Sequence, residues 1–410
     1  MPTIRGICPA AQEGQEAVFP ARLAFVTSTP LTVSAGSGTY VGIRELARSL
    51  EAHNVRITTY APTFWSPSYT LKRLLFNLAI ARRLRTARQD WVVGFDLDGF
   101  HYGRRPAAPY IASIKGVIAD ELTNERGFVR LMLGVQAAFE RLAVRRASVV
   151  VATSGYSRGR IAAAYGVPPS KVVVVPELID LAGWQVGDET CRVPEEDPPA
   201  VLTVAHLYPR KNIPVLLRAY ARLRTGGVAF QGWIVGDGPC RRDWERLRDR
   251  LGLRNQVKFL GTISRRELAD RYRSAAIFCL PSRQEGFGIV FLEAMAYARP
   301  IVAARAAAVP ETVTDGEVGI LSDVNDPDAF ARNLAALLLD RDLRRRLGEA
   351  GRRRVERYRA DRVAALFLET VQASLDGGTA SRGAADRAAG MREADQPVAR
   401  DHQRVAGAAE

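Results

Sequence analysis

The sequence is poor in cysteine and lysine, and it has no long hydrophobic run. Its 410 residues include four cysteines without a Cys-x-x-Cys pair, which argues against a disulfide scaffold and against a zinc site. The longest apolar stretches, such as Val149–Thr153, fall far short of the ~20 residues that a membrane-spanning helix needs. No basic start followed by an apolar segment opens the chain, so we expect no secretory signal and a cytoplasmic protein.

The scarcity of lysine bears on how the net charge is interpreted. The chain carries a formal charge of +14, and only five of its 58 basic residues are lysine, the rest being arginine. Such a lopsided ratio indicates a compositional habit more than a dedicated polyanion surface, although basic chains often bind nucleic acid. We therefore expect no nucleic-acid partner.

Short apolar runs alternate with helical patterns on both sides of a proline-rich stretch, Cys191–Pro199. Runs such as Val172–Val175 are typical of parallel strands that are covered on both faces. The alternation predicts an α/β protein with two Rossmann-like, doubly wound domains that face a central cleft. The predicted divisions are 1–197 (acceptor domain), 198–358 (nucleotide-sugar domain), 359–376 (a helix returning to the first domain) and 377–410 (a disordered tail).

The segment with the most candidate functional residues is Pro281–Ala296, which is predicted to contain the end of a strand, a glycine-containing loop and the start of a helix. Backbone N–H groups of such a loop at a helix N-terminus form an anion site. Glu285 in the loop and Glu293 in the helix are eight residues apart, so both carboxylates can face one hydroxyl-rich ligand.

Two further segments follow predicted strands and therefore converge on the same edge. One carries the basic residues His206, Arg210 and Lys211, which suit a diphosphate. The other is the tight turn Gly236-Asp-Gly238, whose glycines let a ligand approach the backbone.

With these motifs in this order, the stretch from Val201 to about Tyr358 resembles the nucleotide-sugar domain of glycosyltransferase family 4, which has the GT-B fold. The matching words are Arg210-Lys211-Asn212, Gly236-Asp-Gly-Pro239, Phe259-Leu-Gly261, Pro281-Ser282, the pair Glu285 and Glu293, and Val309-Pro310-Glu311. The resemblance implies a retaining hexosyltransferase that needs no metal and no cofactor besides a UDP-, GDP- or ADP-sugar donor.

The resemblance also implies roles for particular residues. Glu293 would bind ribose hydroxyls, Glu285 the donor sugar and Lys211 the diphosphate, while the backbone near Ile263 would meet the base. The donor-binding residues predicted from the motifs and the resemblance together are Gly36, Gly38, His206, Arg210, Lys211, Gly236, Gly238, Ile263, Glu285, Gly286, Phe287, Gly288 and Glu293.

The first domain supplies the predicted catalytic and acceptor residues. Lys115 takes the position where the family often has a histidine, so we predict Glu285, Lys115 and Asp98 as catalytic residues. Asp96 and Asp98 form an Asp-x-Asp at a strand end, which we interpret as hydroxyl recognition on the acceptor, with His101 nearby, and not as a metal site. The Gly36–Gly38 loop resembles a dinucleotide fingerprint, but it does not directly follow the first strand, and the next strand ends without the acidic residue that would bind a ribose. We therefore interpret the loop as a lid over the donor phosphates.

One helix has two interpretations. Residues 69–88 carry leucines at positions 71, 74, 75 and 78 together with six basic residues. The favoured interpretation is that the leucine stripe covers the sheet while arginines face solvent. The alternative is that Tyr69–Arg88 lies on the anionic inner face of a membrane.

Two other classes of function stay open at this point. A sugar-nucleotide epimerase or a phosphorylase shares the two-domain architecture, but it would lack the combination of Arg210-Lys211-Asn212 with the Glu285 and Glu293 pair. A non-enzymatic membrane- or polyanion-binding protein would need clustered charge without convergent cleft residues. The leading prediction is transfer of a glycosyl group from a nucleotide sugar to a hydroxyl of a glycan, lipid or small natural product.

Overall fold

A computed structural model of the chain describes residues 20–29, 38–184 and 196–377. Three sequence predictions fall outside these residues: the role of Gly36, most of the proline-rich linker (its 191–195 part) and the disorder of the tail from residue 378 onward.

The first domain is a parallel sheet of six strands with helices on both faces. Its order is β2-β1-β3-β4-β5-β6. The strands and helices are β1 Arg22–Val26, α1 Gly38–Ala52, β2 Arg56–Tyr60, α2 Tyr69–Thr86, β3 Trp91–Phe95, β4 Tyr110–Ile114, α3 Ile118–Glu121, α4 Gly127–Arg146, β5 Val149–Ala152, α5 Gly155–Tyr165 and β6 Val172–Val174.

The second domain repeats this architecture. Its sheet is also parallel and has the order β12-β11-β10-β7-β8-β9. The elements are β7 Ala200–Val204, α6 Ile213–Thr225, β8 Gln231–Val235, α7 Arg241–Arg250, β9 Val257–Gly261, α8 Arg265–Ser274, β10 Ile277–Leu280, α9 Ile289–Ala296, β11 Ile301–Ala304, α10 Val309–Thr312, β12 Gly319–Ser322, α11 Pro327–Leu339, α12 Arg341–Arg354 and α13 Ala360–Leu375.

Strand composition explains the burial of both sheets. All five residues of β3 and all five of β4 are buried, as are all four of β10 and of β11. Strands of this kind need helices on both faces, and short βα connections then place every helix N-terminus at the carboxyl edge of the sheet. The two carboxyl edges provide the loops that carry the candidate site.

The last helix packs on the first domain. Val363, Phe367 and Val371 of α13 pack with Ile43 and Leu46 of α1 in one buried cluster. The second domain thus contributes its final helix to the core of the first.

The chain passes between the domains at two adjacent points. Leu178 packs in the core of the first domain, whereas Ile179 and Trp184 pack in the core of the second, so the crossing precedes the proline-rich segment that we interpreted as the linker. The return crossing lies beside it, because Ile179 N–H donates to the Tyr358 carbonyl at 2.9 Å and Ala360 N–H donates to the Ile179 carbonyl at 3.1 Å.

Helix α2 contradicts the favoured interpretation of its leucine stripe. Leu71, Leu75 and Leu78 are exposed, while Arg73 and Asn77 are buried against the sheet. The polar pair turns inward because the buried Asp98 carboxylate needs donors, and that requirement outweighs the burial of the leucines. None of the helices within the described ranges is long and apolar enough to cross a membrane.

Candidate active site

The site is built on the loop between β10 and α9. Gly288 has a φ of +90° and precedes the first residue of α9, and a Cβ there would lie against the ring of Phe291. Glycine permits this left-handed turn, which aims the free N–H groups of α9 into the cleft. The loop and helix N-terminus therefore have the backbone arrangement of the anion site that we predict from the sequence.

A buried ion pair stands in front of this loop. Lys211 Nζ donates to Glu285 Oε1 at 2.6 Å, and both side chains are buried. Arg210 lies alongside and reaches across the cleft to Glu121 of the first domain, with 3.6 Å between Nη2 and Oε1. Two predicted diphosphate ligands and one predicted sugar ligand therefore share one location.

Burial and charge act in opposite directions on the Glu285 carboxyl. Burial alone would raise its pKa, but the neighbouring Lys211 and Arg210 cations hold that pKa below its ordinary value. Burial also lowers the pKa of the Lys211 ammonium, against the attraction of Glu285. Glu285 is therefore ionised at neutral pH, and Lys211 lies in an environment that an incoming anion would stabilise.

Glu293 occupies a different environment one helical turn into α9. Its carboxylate Oε2 accepts a hydrogen bond from the Tyr272 hydroxyl at 2.8 Å. Burial raises the pKa of Glu293 to about 7, although the Tyr272 hydrogen bond and the charge of Arg265 oppose that shift. The carboxyl of Glu293 is therefore more easily protonated than an ordinary glutamate, and a hydroxyl-rich ligand that donates to the carboxylate would favour ionisation.

The other predicted donor residues of this domain surround the same edge. His206 is exposed after β7, and Ile263 is partly buried after β9. Gly236 has a φ of +117°, and a Cβ there would collide with the Ala205 carbonyl. The glycine turn is therefore required by the packing of two loops, and this packing explains Gly236 without invoking a ligand.

The N-terminus of α5 in the first domain contacts the loop between β10 and α9, which we call the donor loop. The Gly286 carbonyl accepts hydrogen bonds from the hydroxyls of Thr153, Ser154 and Ser157 at 3.0, 2.8 and 3.2 Å. Glu311 of α10 accepts from the N–H groups of Gly155 at 2.8 Å and Tyr156 at 2.6 Å. A carboxylate at a helix N-terminus is favourable, so these contacts stabilise a closed arrangement of the two domains.

A second interdomain contact joins the residue before Glu285 to α3. Gln284 Nε2 donates to Asp120 Oδ2 at 2.9 Å, and Asn124 Nδ2 donates to Gln284 Oε1 at 2.7 Å. The Tyr156 hydroxyl donates to the same Asp120 carboxylate at 2.8 Å. The closed arrangement therefore fixes both sides of the Glu285 loop.

Comparison with known proteins places this geometry in a family. The family model described as "Glycosyltransferase Family 4" matches residues 36–182, and the model "Glycosyl transferases group 1" matches residues 192–354. A mannosyltransferase of Mycobacterium tuberculosis, named GDP-mannose-dependent alpha-(1-6)-phosphatidylinositol monomannoside mannosyltransferase, is 32% identical over 63% of this chain and 70% of its own length. The chain belongs to glycosyltransferase family 4.

The similarity extends to a second relative and to solved structures. The protein of the same name from Mycolicibacterium smegmatis is 35% identical over 59% of this family 4 chain, and the match spans 65% of the relative's length. Sucrose-phosphate synthase from Thermosynechococcus elongatus superposes with a TM-score of 0.72 at 20% identity, covering 87% of this chain and 100% of that one. The predicted GT-B fold is thereby confirmed, and the relatives favour the glycosyltransferase prediction over the epimerase and phosphorylase alternatives.

Lys115 of this family 4 chain forms a second buried ion pair. Its Nζ donates to Glu177 Oε2 at 2.9 Å, and its backbone carbonyl faces Gly286, where a Cβ would lie 2.9 Å away. Helix α1 covers the pair, since a Cβ on Gly42 would lie 2.7 Å from Glu177 Oε2. Gly38, at the start of α1, lies beside Ile289 of α9, so the N-termini of both helices meet over the donor loop.

The two aspartates of the Asp-x-Asp differ in position. Asp96 is partly exposed, accepts from Lys115 N–H at 2.9 Å and has a pKa raised to about 6 by burial, although Arg73 opposes the shift. Asp98 is fully buried, where it accepts from Ser28 N–H at 2.6 Å and from Asn77 Nδ2 at 2.7 Å. The catalytic and acceptor roles predicted for Asp98 do not fit its position, because its buried carboxylate joins the segments after β1 and β3 to α2. Of the two aspartates, Asp96 borders the cleft.

His101 lies at the wrong edge of the sheet for acceptor contact. Its backbone carbonyl accepts from Arg85, and the preceding carbonyl, that of Phe100, accepts from Arg146. These arginines end α2 and α4, and helix C-termini lie at the edge opposite the cleft. Burial and then the charges of Arg85, Arg104 and Arg146 lower the pKa of His101, so it is a neutral structural residue.

Sequence reasoning missed several residues that this family 4 site uses. Glu177, Tyr272 and the hydroxyls of Thr153, Ser154 and Ser157 were not identified. A signal was available for the last group: a strand followed by Thr-Ser-Gly-x-Ser is a capped helix start at the carboxyl edge, and Ser154 does cap α5. Across the described ranges, no group of three or more His, Cys, Asp or Glu side chains is placed to hold a metal.

Proposed function

We propose that this family 4 chain is a retaining glycosyltransferase that uses a GDP- or UDP-sugar and a hydroxyl acceptor. The observation that carries the proposal is the cluster of Lys211, Arg210 and Glu285 at the N-terminus of α9, with Glu293 one turn behind. Cations and helix N–H groups suit a diphosphate, and carboxylates suit the hydroxyls of ribose and sugar. The names of the relatives favour GDP-mannose among the donors.

The ion pairs give the binding step a simple course. An incoming diphosphate would take Lys211 from Glu285 and Arg210 from Glu121, and the released Glu285 carboxylate could then accept from a donor-sugar hydroxyl. Stabilisation of the leaving diphosphate by these two cations would perform the electrostatic task that a metal ion performs elsewhere, so we propose a metal-independent reaction. The acceptor hydroxyl would attack the anomeric carbon on the leaving-group face while the bond from that carbon to the diphosphate breaks, and the hydroxyl proton would pass to the departing phosphate oxygen. Lys115 and Asp96 border that space.

We further propose a cytoplasmic location with peripheral contact between helix α2 and an anionic membrane. Cys240 and Cys279 are free thiols, which suits a reducing compartment. The exposed leucines of α2 and its basic residues support membrane contact, and the relatives' names include a phosphatidylinositol-based acceptor.

A donor screen tests this function, with Lys211→Ala as the diagnostic variant. Calorimetry with GDP-mannose, UDP-glucose and ADP-glucose should give one tight binder. Lys211→Ala should weaken that nucleoside diphosphate far more than the matching nucleoside, because only the diphosphate carries the charge that Lys211 meets. The control is Lys258→Ala, an exposed lysine on β9. Equal losses for diphosphate and nucleoside would contradict the assignment of Lys211.

A further inference from the structure

Large apolar side chains are exposed mainly on one part of the first domain. In the described part of the chain, ten large apolar side chains are exposed, and eight of them lie between residues 65 and 131. Five belong to α2 and the loop before it: Trp65, Tyr69, Leu71, Leu75 and Leu78. Three belong to the first turns of α4: Phe128, Val129 and Leu131. We call these eight residues the apolar rim.

The topology makes the apolar rim one surface. Helices α2 and α4 pack in the same buried cluster, so they cover the same face of the sheet, opposite to α1 and α13. Both helices start at the carboxyl edge, and Gln136 of α4 ties their first halves together by accepting from Arg73 at 2.9 Å and donating to Thr70 at 2.9 Å. The apolar rim therefore borders the mouth of the cleft.

Positive charge accompanies these apolar side chains. Helix α2 contains five basic residues and no acidic one; Arg73 is buried beside Asp98, whereas Arg82 and Arg83 are exposed. Arg126 and Arg130 are exposed at the start of α4. The one acidic residue of α4, Glu140, is fully buried. Glu125, just before α4, is partly buried, and burial raises the pKa of its carboxyl although the charge of Arg210 opposes that shift. The combination of Trp, Tyr, Leu and Phe with unopposed arginine is complementary to an anionic bilayer, where aromatic rings and leucines enter the headgroup region.

We propose that the apolar rim is the surface by which this chain docks on an anionic lipid bilayer, with α2 and α4 contributing jointly. The proposal rests on the membrane contact included in the proposed function and adds a second helix and an orientation. Because the rim borders the cleft, docking directs the cleft opening toward the headgroups.

Vesicle flotation of the full chain tests the proposal. Wild-type protein should float with phosphatidylcholine–phosphatidylglycerol vesicles and much less with phosphatidylcholine alone. Leu71→Ser with Leu75→Ser on α2, and separately Phe128→Ser with Leu131→Ser on α4, should each weaken binding about tenfold, because each removes two side chains from the headgroup region. Leu339→Ser, which changes an exposed leucine of the second domain, is the matched control and should bind as wild type.

Two further measurements decide the outcome. Arg126→Gln with Arg130→Gln should remove much of the preference for anionic vesicles while sparing binding to neutral ones. Unaltered flotation of either leucine or phenylalanine variant overturns the proposal. The proposal is also overturned if the wild-type protein self-associates and binds neither kind of vesicle. Nucleotide affinity measured on the same variants should equal that of wild type. If the wild-type protein binds no nucleotide, that result counts against the proposed function and not against the docking surface.

Discussion

At the scale of single residues, Glu293 is the group whose chemistry the structure specifies most sharply. Its pKa of about 7 arises from burial, and the Tyr272 hydroxyl donates a hydrogen bond to its carboxylate. The carboxyl is more easily protonated in the folded chain than in the unfolded one. Its contribution to the free energy of unfolding is therefore complete below pH 4.5, the ordinary pKa, and lost as the pH rises through about 7.

Glu293→Gln should separate binding from stability. The amide retains an oxygen for Tyr272, so we expect the free protein to fold and to be more stable than wild type at pH 8 by roughly 1–3 kcal/mol. Nucleotide affinity should fall by about 1.5–3 kcal/mol, because a charged acceptor of ribose hydroxyls is lost. Denaturant titrations at several pH values and calorimetry measure both effects. A pH-independent wild-type stability, or unchanged affinity in the variant, would refute the assignment.

The Lys115–Glu177 pair allows a structural role to be distinguished from a functional one. Glu177→Gln or Lys115→Met alone should lower the free energy of unfolding by roughly 3 kcal/mol, since each leaves a buried charge without its partner. The double variant should regain much of that loss, as a double-mutant cycle would show. Sugar transfer should stay impaired in the double variant, because that variant no longer has the Lys115 ammonium group at the cleft. Full recovery of transfer would make the pair purely structural.

At the scale of elements, α5 and α10 hold the domains in the closed arrangement. Glu311→Gln replaces a carboxylate that caps α5, and an amide of the same shape loses the favourable charge at a helix N-terminus. We expect closure to weaken by about 1 kcal/mol, with a larger radius of gyration in X-ray scattering and a raised KM for the donor. Glu51→Gln, at an exposed position near the end of α1, is the control. Identical scattering and KM in wild type and Glu311→Gln would contradict a closing role.

The elements also show what a sequence pattern can predict. Alternating apolar runs were sufficient for the order and type of most strands and helices, because a strand buried on both faces has few alternatives. The helix predicted at residues 69–88 is observed as α2, which begins at Tyr69, and α9 begins at Ile289, directly after the predicted glycine loop. The inward face of α2 was predicted wrongly, since Arg73 and Asn77 serve a carboxylate on a distant strand and no periodicity within α2 contains that information.

Local motifs located the donor half of the site more readily than the acceptor half. Lys211 and Glu285 lie in segments that directly follow strands of one sheet, and Glu293 lies one turn into the helix after the Glu285 loop, so the edge at which they meet could be predicted. His101 could not be placed, because the chain after β3 turns back along the sheet toward Arg146. The hydrogen bonds from Thr153 and Ser157 to the Gly286 carbonyl join residues that are over a hundred positions apart. They depend on how the two domains pack, which no local motif contains.

At the scale of the whole molecule, α13 ties the two ends of the described chain together. Truncation after Gly351 removes this helix and exposes Ile43, Leu46 and the strands beneath them. Each large buried side chain of α13 contributes roughly 1.5–3 kcal/mol, so the first domain should unfold at a much lower temperature and transfer should be lost. Truncation after Gly377 keeps every residue of α13 and should change neither property. Thermal melting and a transfer assay on both proteins measure the difference, and a severe loss in the longer one would contradict this division.

The same helix orders events during synthesis. A ribosome releases the six strands of the first domain long before it releases α13, and the apolar surface of α1 has no partner until then. The second domain can complete its own core in the interval. The domain that is made first is therefore finished last, and for that period the apolar side chains of its unfinished face are exposed to water, where such surfaces tend to aggregate.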